Sequence, residues 1–599
     1  MTRRIVTDWY AHDRLAARFA ETRLKKALPK QWGAAIGLLA VHDKSEPVWR
    51  KDSAWLEKLQ AFKKAHGQAL NWAMSDADIC TRATATAAHV EDLIALWPDG
   101  LPECEKLDTV MIVCDSVGVD YPKALTVAGA IARGTSPHWW RRVLRRKVAR
   151  IVEHGAIKLG LVNKAAGGYA SNDAVQRRRQ QLARNEAMLK SAVMRNEAGQ
   201  YFTLSDLAKK STANPAIRGG ELMTRIRGCE EFAEGEGHVG LFLTLTTPSR
   251  FHAVNAGGKT AAAKPRPNPR YDTVNNPTPR DAQLWLRTMW ARARAMLARL
   301  GVSAYGFRVA EPHHDGTPHW HALLWVKNER DAMLLTSAVW AYWLSDGGDE
   351  RGAADNRINV KRMVRSDKNG RGGAAGYIAK YIAKNIGHFD VGDYMDQAQG
   401  LEFSVWAGDV KGWQRVDAWA ATWGIRQFQA IGQPSVTVWR ELRRVTKDQV
   451  EAARIDGDGE AWNAWCAVHR EGDLQACWRR YMAAMGGVCI PRAAYRMRPA
   501  CRVTESVNDY GETFQKRRIV GLELNSGRWL VSRRQAWARV IEKVSQGKGE
   551  SKRLAAPWTG FNNCTARLGG TLRAALMGLK SGDVAPGWWD EKGGGYALG

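Results

Sequence analysis

The sequence predicts an α+β fold: an antiparallel sheet with helices mainly on one face, flanked by mainly helical N- and C-terminal regions. Three observations predict it. Residues 239–247 contain Phe242-Leu243-Thr244-Leu245-Thr246, a run of strand formers closed by Pro248. Residues 303–311 and 318–326 read as two more strands, joined by a stretch short enough for a hairpin. Residues 357–364 alternate through Ile358 and Val360, the period of a half-buried strand. Helical patterns separate these strands, giving the order strand, helix, hairpin, helix, strand, helix.

A chain of 599 residues is long enough for three or four domains. The composition divides it into an N-terminal region (1–133) with no motif tied to chemistry, a basic helical region (134–235), the sheet domain (236–400) and a C-terminal region (401–599). The last fifty residues or so are rich in Gly and Lys and read as loosely ordered. Net charge is +28, which points to a polyanionic partner, nucleic acid above all. The 27 tryptophans often adjoin arginine, as in Trp139-Trp140-Arg141-Arg142. That pairing suits stacking on single-stranded bases and equally suits core packing under arginine stems.

Nine cysteines without a CxxC pair fit reduced thiols. Cys466, His469, Cys477 and Cys489 could gather around zinc, but their spacing matches no standard finger. Met1-Thr2-Arg3-Arg4 leads into a mixed charged segment, not a secretory signal. The longest apolar stretch, 32–41, is too short to cross a bilayer. The expectation is a soluble protein with no membrane association.

Taking the chain in order, a basic helix starts near Ser136 and carries Arg141, Arg142, Arg145, Arg146, Lys147 and Arg150. Trp140, Val143, Leu144, Val148 and Ile151 give it a buried side. A second basic helix covers 172–195, and a third helix covers 215–233. Their cations suit either a solvated face or contacts to phosphate. Residues 249–278 read as a flexible basic loop. Within it, Gly257-Gly258-Lys259-Thr260 resembles a phosphate-binding loop, but Ala253 stands where the motif's first glycine belongs. No nucleotide site is expected, so opening a duplex would fall to a separate helicase. Thr278-Pro279-Arg280-Asp281 is a helix start with cap, N1 proline and acid in the first turn, and the helix should run to Leu300. Another amphipathic helix covers 329–344.

The hairpin between the second and third strands holds candidate metal ligands. His319 and His321 flank one strand residue, so both point to one face. A three-residue loop, His314-Asp315-Gly316, would put His313 opposite Thr317 and Glu311 opposite His319. Glu311 is then the third candidate ligand, with His313 in reserve. A His/His/carboxylate set leaves positions open for a phosphate oxygen.

A basic, glycine-rich loop (365–373) precedes Tyr377-Ile378-Ala379-Lys380-Tyr381-Ile382-Ala383-Lys384. At about 100° per residue, Tyr377 and Tyr381 fall about 40° apart on one helix face. Lys380 and Lys384 share that side, while Ile378, Ile382 and Ile386 fill the other. A tyrosine pair at this spacing is commonly a packing feature. Here burial would strand two lysine charges, which favours a presented face. A tyrosine oxygen attacking a phosphodiester conserves the bond energy for rejoining, and a second tyrosine permits a second transfer.

These stretches resemble the HUH endonuclease superfamily, whose motif of histidine, hydrophobe, histidine is here His319-Trp320-His321. With the tyrosines after the histidines, and paired, the arrangement is similar to two-tyrosine initiators of rolling-circle replication. The chain more closely resembles the bacteriophage replication gene A protein family through Trp139-Trp140-Arg141-Arg142, Asn214-Pro215-Ala216-Ile217-Arg218, 242–249, 311–321 and 377–385. The resemblance implies a ferredoxin-like sheet with an HUH endonuclease core, whose first motif strand is 242–246. It implies Mg²⁺ or Mn²⁺ on His319 and His321, with Tyr377 and Tyr381 as nucleophiles. It further implies nicking of single-stranded origin DNA through a 5′-phosphotyrosyl link, a 3′-OH primer, and rejoining at termination. A host helicase and DNA polymerase would be partners, in the cytoplasm of a bacterial host. The same chemistry would serve a plasmid initiator or a transposase. A non-catalytic DNA-binding regulator of replication is the alternative from another class.

Overall fold

The computed structural model describes residues 74–98, 102–158, 160–164, 167–255, 266–272, 274–363, 412–469, 477–533 and 537–540. It is a mixed α+β structure with antiparallel sheets.

The N-terminal part is helical: α1 (Asp76–Ala95), α2 (Glu103–Val117), α3 (Val127–Gly134), α4 (Pro137–Lys158) and α5 (Asn172–Ser191). Ser75 and Asp78 close a capping box at the start of α1, satisfying amides the helix cannot. Two short strands, β1 (Val193–Asn196) and β2 (Tyr201–Thr203), interrupt the region predicted as helix to 195. They are followed by α6 (Leu204–Lys209) and α7 (Pro215–Gly235). The arginines of α4 and α5 turn largely to protein partners. Arg145 pairs with Asp76, Arg178 with Asp417, Arg150 donates to the Thr422 carbonyl and Arg142 to the Tyr510 hydroxyl.

The central sheet begins with β3 (Val239–Leu245). The segment after it is structured where it is described. It forms a small ribbon, β4 (Val254–Asn255) with β5 (Arg266–Pro267), and Asn268 donates to the carbonyls of Ser249 and His252. Then come α8 (Pro279–Arg299), β6 (Ala304–Pro312), β7 (Pro318–Val326), α9 (Glu329–Trp343), α10 (Ala353–Arg357) and β8 (Ile358–Arg362). Thr278 and Asp281 form the capping box of α8 that the sequence announces. The C-terminal part contributes α11 (Gly412–Trp423), β9 (Phe428–Ile431), α12 (Val436–Leu442), α13 (Lys447–Ile455), α14 (Gly459–His469) and α15 (Trp478–Ala484). It ends in β10 (Met497–Val507), β11 (Thr513–Leu524), β12 (Trp529–Val531) and β13 (Trp537–Arg539).

The sheet order is β8-β3-β7-β6-β9, with every pair antiparallel. Strand β9 comes from beyond residue 401 yet hydrogen-bonds along β6, so the C-terminal region completes this sheet.

Helices cover both faces of the sheet, not mainly one. Leu241, Leu243, Leu245, Trp320, Ala322 and Leu324 pack into one core with α8, α9 and the N-terminal helices. Phe242, Tyr305, Phe307, Val309, Leu323 and Trp325 pack into a second core with α7 and α12 to α15. The strands dictate this. All nine residues of β7 are buried, and a strand without a polar side must be covered twice. Tryptophan serves these cores: Trp140, Trp320, Trp343, Trp419, Trp423, Trp439 and Trp478 are among the largest fully buried side chains.

Among the described residues, Cys466, His469, Cys477 and Cys489 do not gather into a metal-binding group. Cys477 instead caps α15, and the His469 ring stacks on Trp465. No described helix is long and apolar enough to cross a membrane. The loosely ordered reading of the C-terminal tail concerns residues outside those described.

Candidate metal centre

Register builds this site. In the β6–β7 hairpin, Glu311 stands directly across from His319, and His313 N–H donates to the Thr317 carbonyl at 2.7 Å. Gly316 takes a left-handed φ of 86°, which an L side chain rarely adopts. Asp315 stabilises the turn by accepting from the Thr317 amide and hydroxyl, each at 3.0 Å. On the neighbouring strand β3, Thr244 stands directly across from His321.

Glu311, His319 and His321 thus share one sheet face, each offering a ligand atom within 4.8 Å of the others. All three are buried, Glu311 to 1% exposure. His319 Nε2 and His321 Nε2 lie 2.9 Å apart. Two donors about 2.1 Å from one ion and at right angles to each other would lie about 3 Å apart. Three buried polar groups aimed at one point, two of them imidazole nitrogens at that separation, fit a divalent cation.

The ligands are held from behind. The Thr244 hydroxyl lies 3.1 Å from His321 Nδ1, so it can accept that N–H and leave Nε2 with its lone pair outward. The Phe242 ring stacks on His321 at 5.6 Å with a 13° tilt. His313 lies outside the ligand trio, with its ring 4.1 Å from that of His319. His252 reaches in from the segment after β3 and contacts Asp315 at 2.8 Å. Burial opposes ionisation of Asp315, yet the His252 imidazole beside it holds the carboxyl at about 2. The hairpin tip is fastened from two further directions. Trp419 Nε1 donates to the Gly316 carbonyl at 2.7 Å, and Tyr169 stacks on His314.

The structure therefore brings together Glu311, His319 and His321. Tyr377, Tyr381, Lys380 and Lys384 lie outside the described residues. The supporting roles of Thr244 and of the His252–Asp315 pair are not legible in the sequence. A threonine in a strand is ordinary, and only the register shows what it faces. Burial of Glu153 follows the same logic. Ser171 donates to it through amide (2.9 Å) and hydroxyl, tying α4 to the start of α5, while burial lifts the carboxyl to about 7.

Residues 57–389 match the family described as bacteriophage replication gene A protein (GPA), a span that takes in the hairpin and the tyrosine motif. The chain belongs to this family. Among curated relatives, the replication gene A protein of Escherichia phage P2 is 36% identical over 448 residues, 74% of this chain and 56% of that protein. A probable replication protein of Pseudoalteromonas phage PM2 is 36% identical over 436 residues, 73% of this chain and 62% of that protein. A probable replication endonuclease from a prophage-like region of Escherichia coli O6:H1 is 31% identical over 446 residues, covering 73% and 52%. The chain thus spans just over half the length of the curated relatives it matches. No solved structure matches it.

Proposed function

We propose that this protein initiates phage DNA replication by nicking one strand at the origin, with tyrosine as nucleophile and a divalent metal, Mg²⁺ or Mn²⁺, at Glu311, His319 and His321. The observation that carries the reading is the buried convergence of those three side chains in a chain whose family-matched span also carries the YxxKYxxK motif. Relatives named replication endonuclease support a nuclease. An HUH-type, ferredoxin-like core agrees with the antiparallel sheet and with both histidines on its central strand β7.

When bound, the metal would withdraw charge from the scissile phosphate and stabilise charge developing on it. The protein's own residues do the rest. Thr244 and Phe242 fix the His321 ring, and the Asp315 turn fixes the hairpin, so the ligands need little reorganisation. A tyrosine oxygen, Tyr377 or Tyr381, loses its proton and forms a bond to phosphorus. The bond to the 3′ oxygen breaks, and that oxygen takes up a proton. The 5′ phosphate stays on tyrosine, and the 3′-OH is free to prime a polymerase. Lys380 and Lys384 neutralise the phenolate and the non-bridging oxygens. The second tyrosine accepts the new 5′ end at termination, and the freed 3′-OH rejoins the strand.

The substrate in this reading is single-stranded origin DNA, with helicase and polymerase supplied by the host cytoplasm. Mapping the labelled 5′ end after incubation with phage genomic DNA and Mn²⁺ tests it. A single protein-blocked 5′ end at one position is the expected result, whereas unblocked ends scattered over the genome would refute it.

A further inference from the structure

The long hairpin β10–β11 is anchored at both ends, and between them its described residues are half-buried or exposed. At its base, Met497, Leu522 and Leu524 lie in the C-terminal core. At its tip, Glu512 accepts the Leu125 and Thr126 amides at 2.6 and 3.1 Å and pairs with Arg133 at 2.7 Å. The Tyr510 ring beneath Arg133, at 4.3 Å, adds a cation–π contact. Gly129 makes the docking possible, since a Cβ there would lie 2.1 Å from the Glu512 carboxylate. The tip therefore belongs to the N-terminal helices and the base to the C-terminal helices. Eleven residues at about 3.3 Å each give a ribbon of about 35 Å.

Along 501–507 and 513–520 no residue is buried. A two-stranded ribbon is marginal by itself, and here the two anchors hold it. Its side chains are unbalanced in charge: Arg502, Lys516, Arg517 and Arg518 against Glu505 alone. Arg502 stands directly across from Arg518, so two cations face each other on one side of the ribbon. Among the described residues, Arg502 and Arg517 make no ion pair.

We propose that this ribbon is a second, non-catalytic DNA contact, which binds the phosphate backbone of duplex DNA without reading its sequence. The choice of DNA as the polyanion rests on the function proposed above. A two-stranded ribbon fits the major groove, and its exposed arginines, Arg502 on one face and Arg517 on the other, can reach the phosphates on either side of that groove. Single strands are gripped by exposed aromatic platforms, and the ribbon's middle has none, its sole aromatic, Phe514, being half-buried. The ribbon would hold duplex beside the origin while the nicking site works on one strand.

The test is fluorescence anisotropy of the full-length protein with a duplex lacking the origin, titrated at several salt concentrations, and with a single strand of the same sequence. Arg502→Gln/Arg517→Gln should weaken duplex binding several-fold and lower the slope of log affinity against log salt by about two. Single-strand binding should change little. Glu505→Gln, which removes the ribbon's lone carboxylate, should tighten duplex binding and guards against a folding defect in the first variant. Unchanged duplex affinity and slope in both variants would overturn the proposal, as would equal losses on duplex and single strand. Covalent adduct formation on an origin strand, run on the same samples, separates the two ideas. An adduct with unaltered duplex binding sinks the ribbon alone, while no adduct from the wild type sinks the function it rests on.

Discussion

Thr244 Oγ1 sits 3.1 Å from Nδ1 of His321, on the strand next to the one that bears the histidine. In the proposed metal site, a Thr244 hydroxyl that accepts from Nδ1 leaves Nε2 facing the metal. Thr244→Val keeps the shape and removes the acceptor. Metal affinity should fall about tenfold, the lower end for such supporting partners. Calorimetric titration with Mn²⁺ measures it, and an unchanged affinity would remove Thr244 from the account.

The ligands themselves are predicted to matter more. His319→Ala or His321→Ala should abolish strand cleavage and leave salt-sensitive DNA binding largely intact. Glu311→Gln, which removes the carboxylate charge but keeps its shape, should weaken metal binding without unfolding the hairpin. Cleavage assays beside anisotropy on the same oligonucleotide decide both. Full cleavage by either histidine variant would contradict the ligand assignment.

Asp315 offers a pH test of the hairpin. Its carboxyl is held near 2 in the folded protein, below an ordinary aspartate near 3.9. A depressed carboxyl stabilises the fold above the unfolded value and loses that contribution as pH falls toward the folded one. Asp315→Asn should therefore cost about 1–3 kcal/mol at pH 7. The gap to wild type should narrow as pH drops from about 4 toward 2. Thermal melts across pH check this, and a constant gap would contradict it.

Glu153 should show the opposite sign. Burial raises its carboxyl to about 7, so its contribution is complete below the ordinary value near 4.3 and is lost as pH rises through about 7. Glu153→Gln should flatten the decline in melting temperature between pH 5 and about pH 8. A decline as steep as that of wild type would rule out this cause.

What could be read from the sequence was local. The hairpin register follows from Asp315-Gly316 and the strand period, which place Glu311 across from His319 as the strands pair. The α8 start followed from Thr278-Pro279 and Asp281. Long-range partners were not legible. Nothing near Arg145 or Arg178 announces Asp76 or Asp417, so their helices read as either solvated or phosphate-contacting faces, although these cations are spent within the fold. Strand β9 is four residues long, too short for periodicity to signal, and its place is set by β6. Of the ribbon only 519–524 reads as a possible strand, because its polar, alternating residues acquire meaning only through where Glu512 lands.

The central claim is covalent chemistry through Tyr377 and Tyr381, directed by a metal at the histidine site. The most direct measurement incubates end-labelled single-stranded origin DNA with the protein and Mn²⁺, then resolves protein–DNA adducts under denaturing conditions. Wild type should give an adduct that chelator prevents, and Tyr377→Phe/Tyr381→Phe should give none. An adduct that persists in the double variant, or forms undiminished in chelator, would contradict the account.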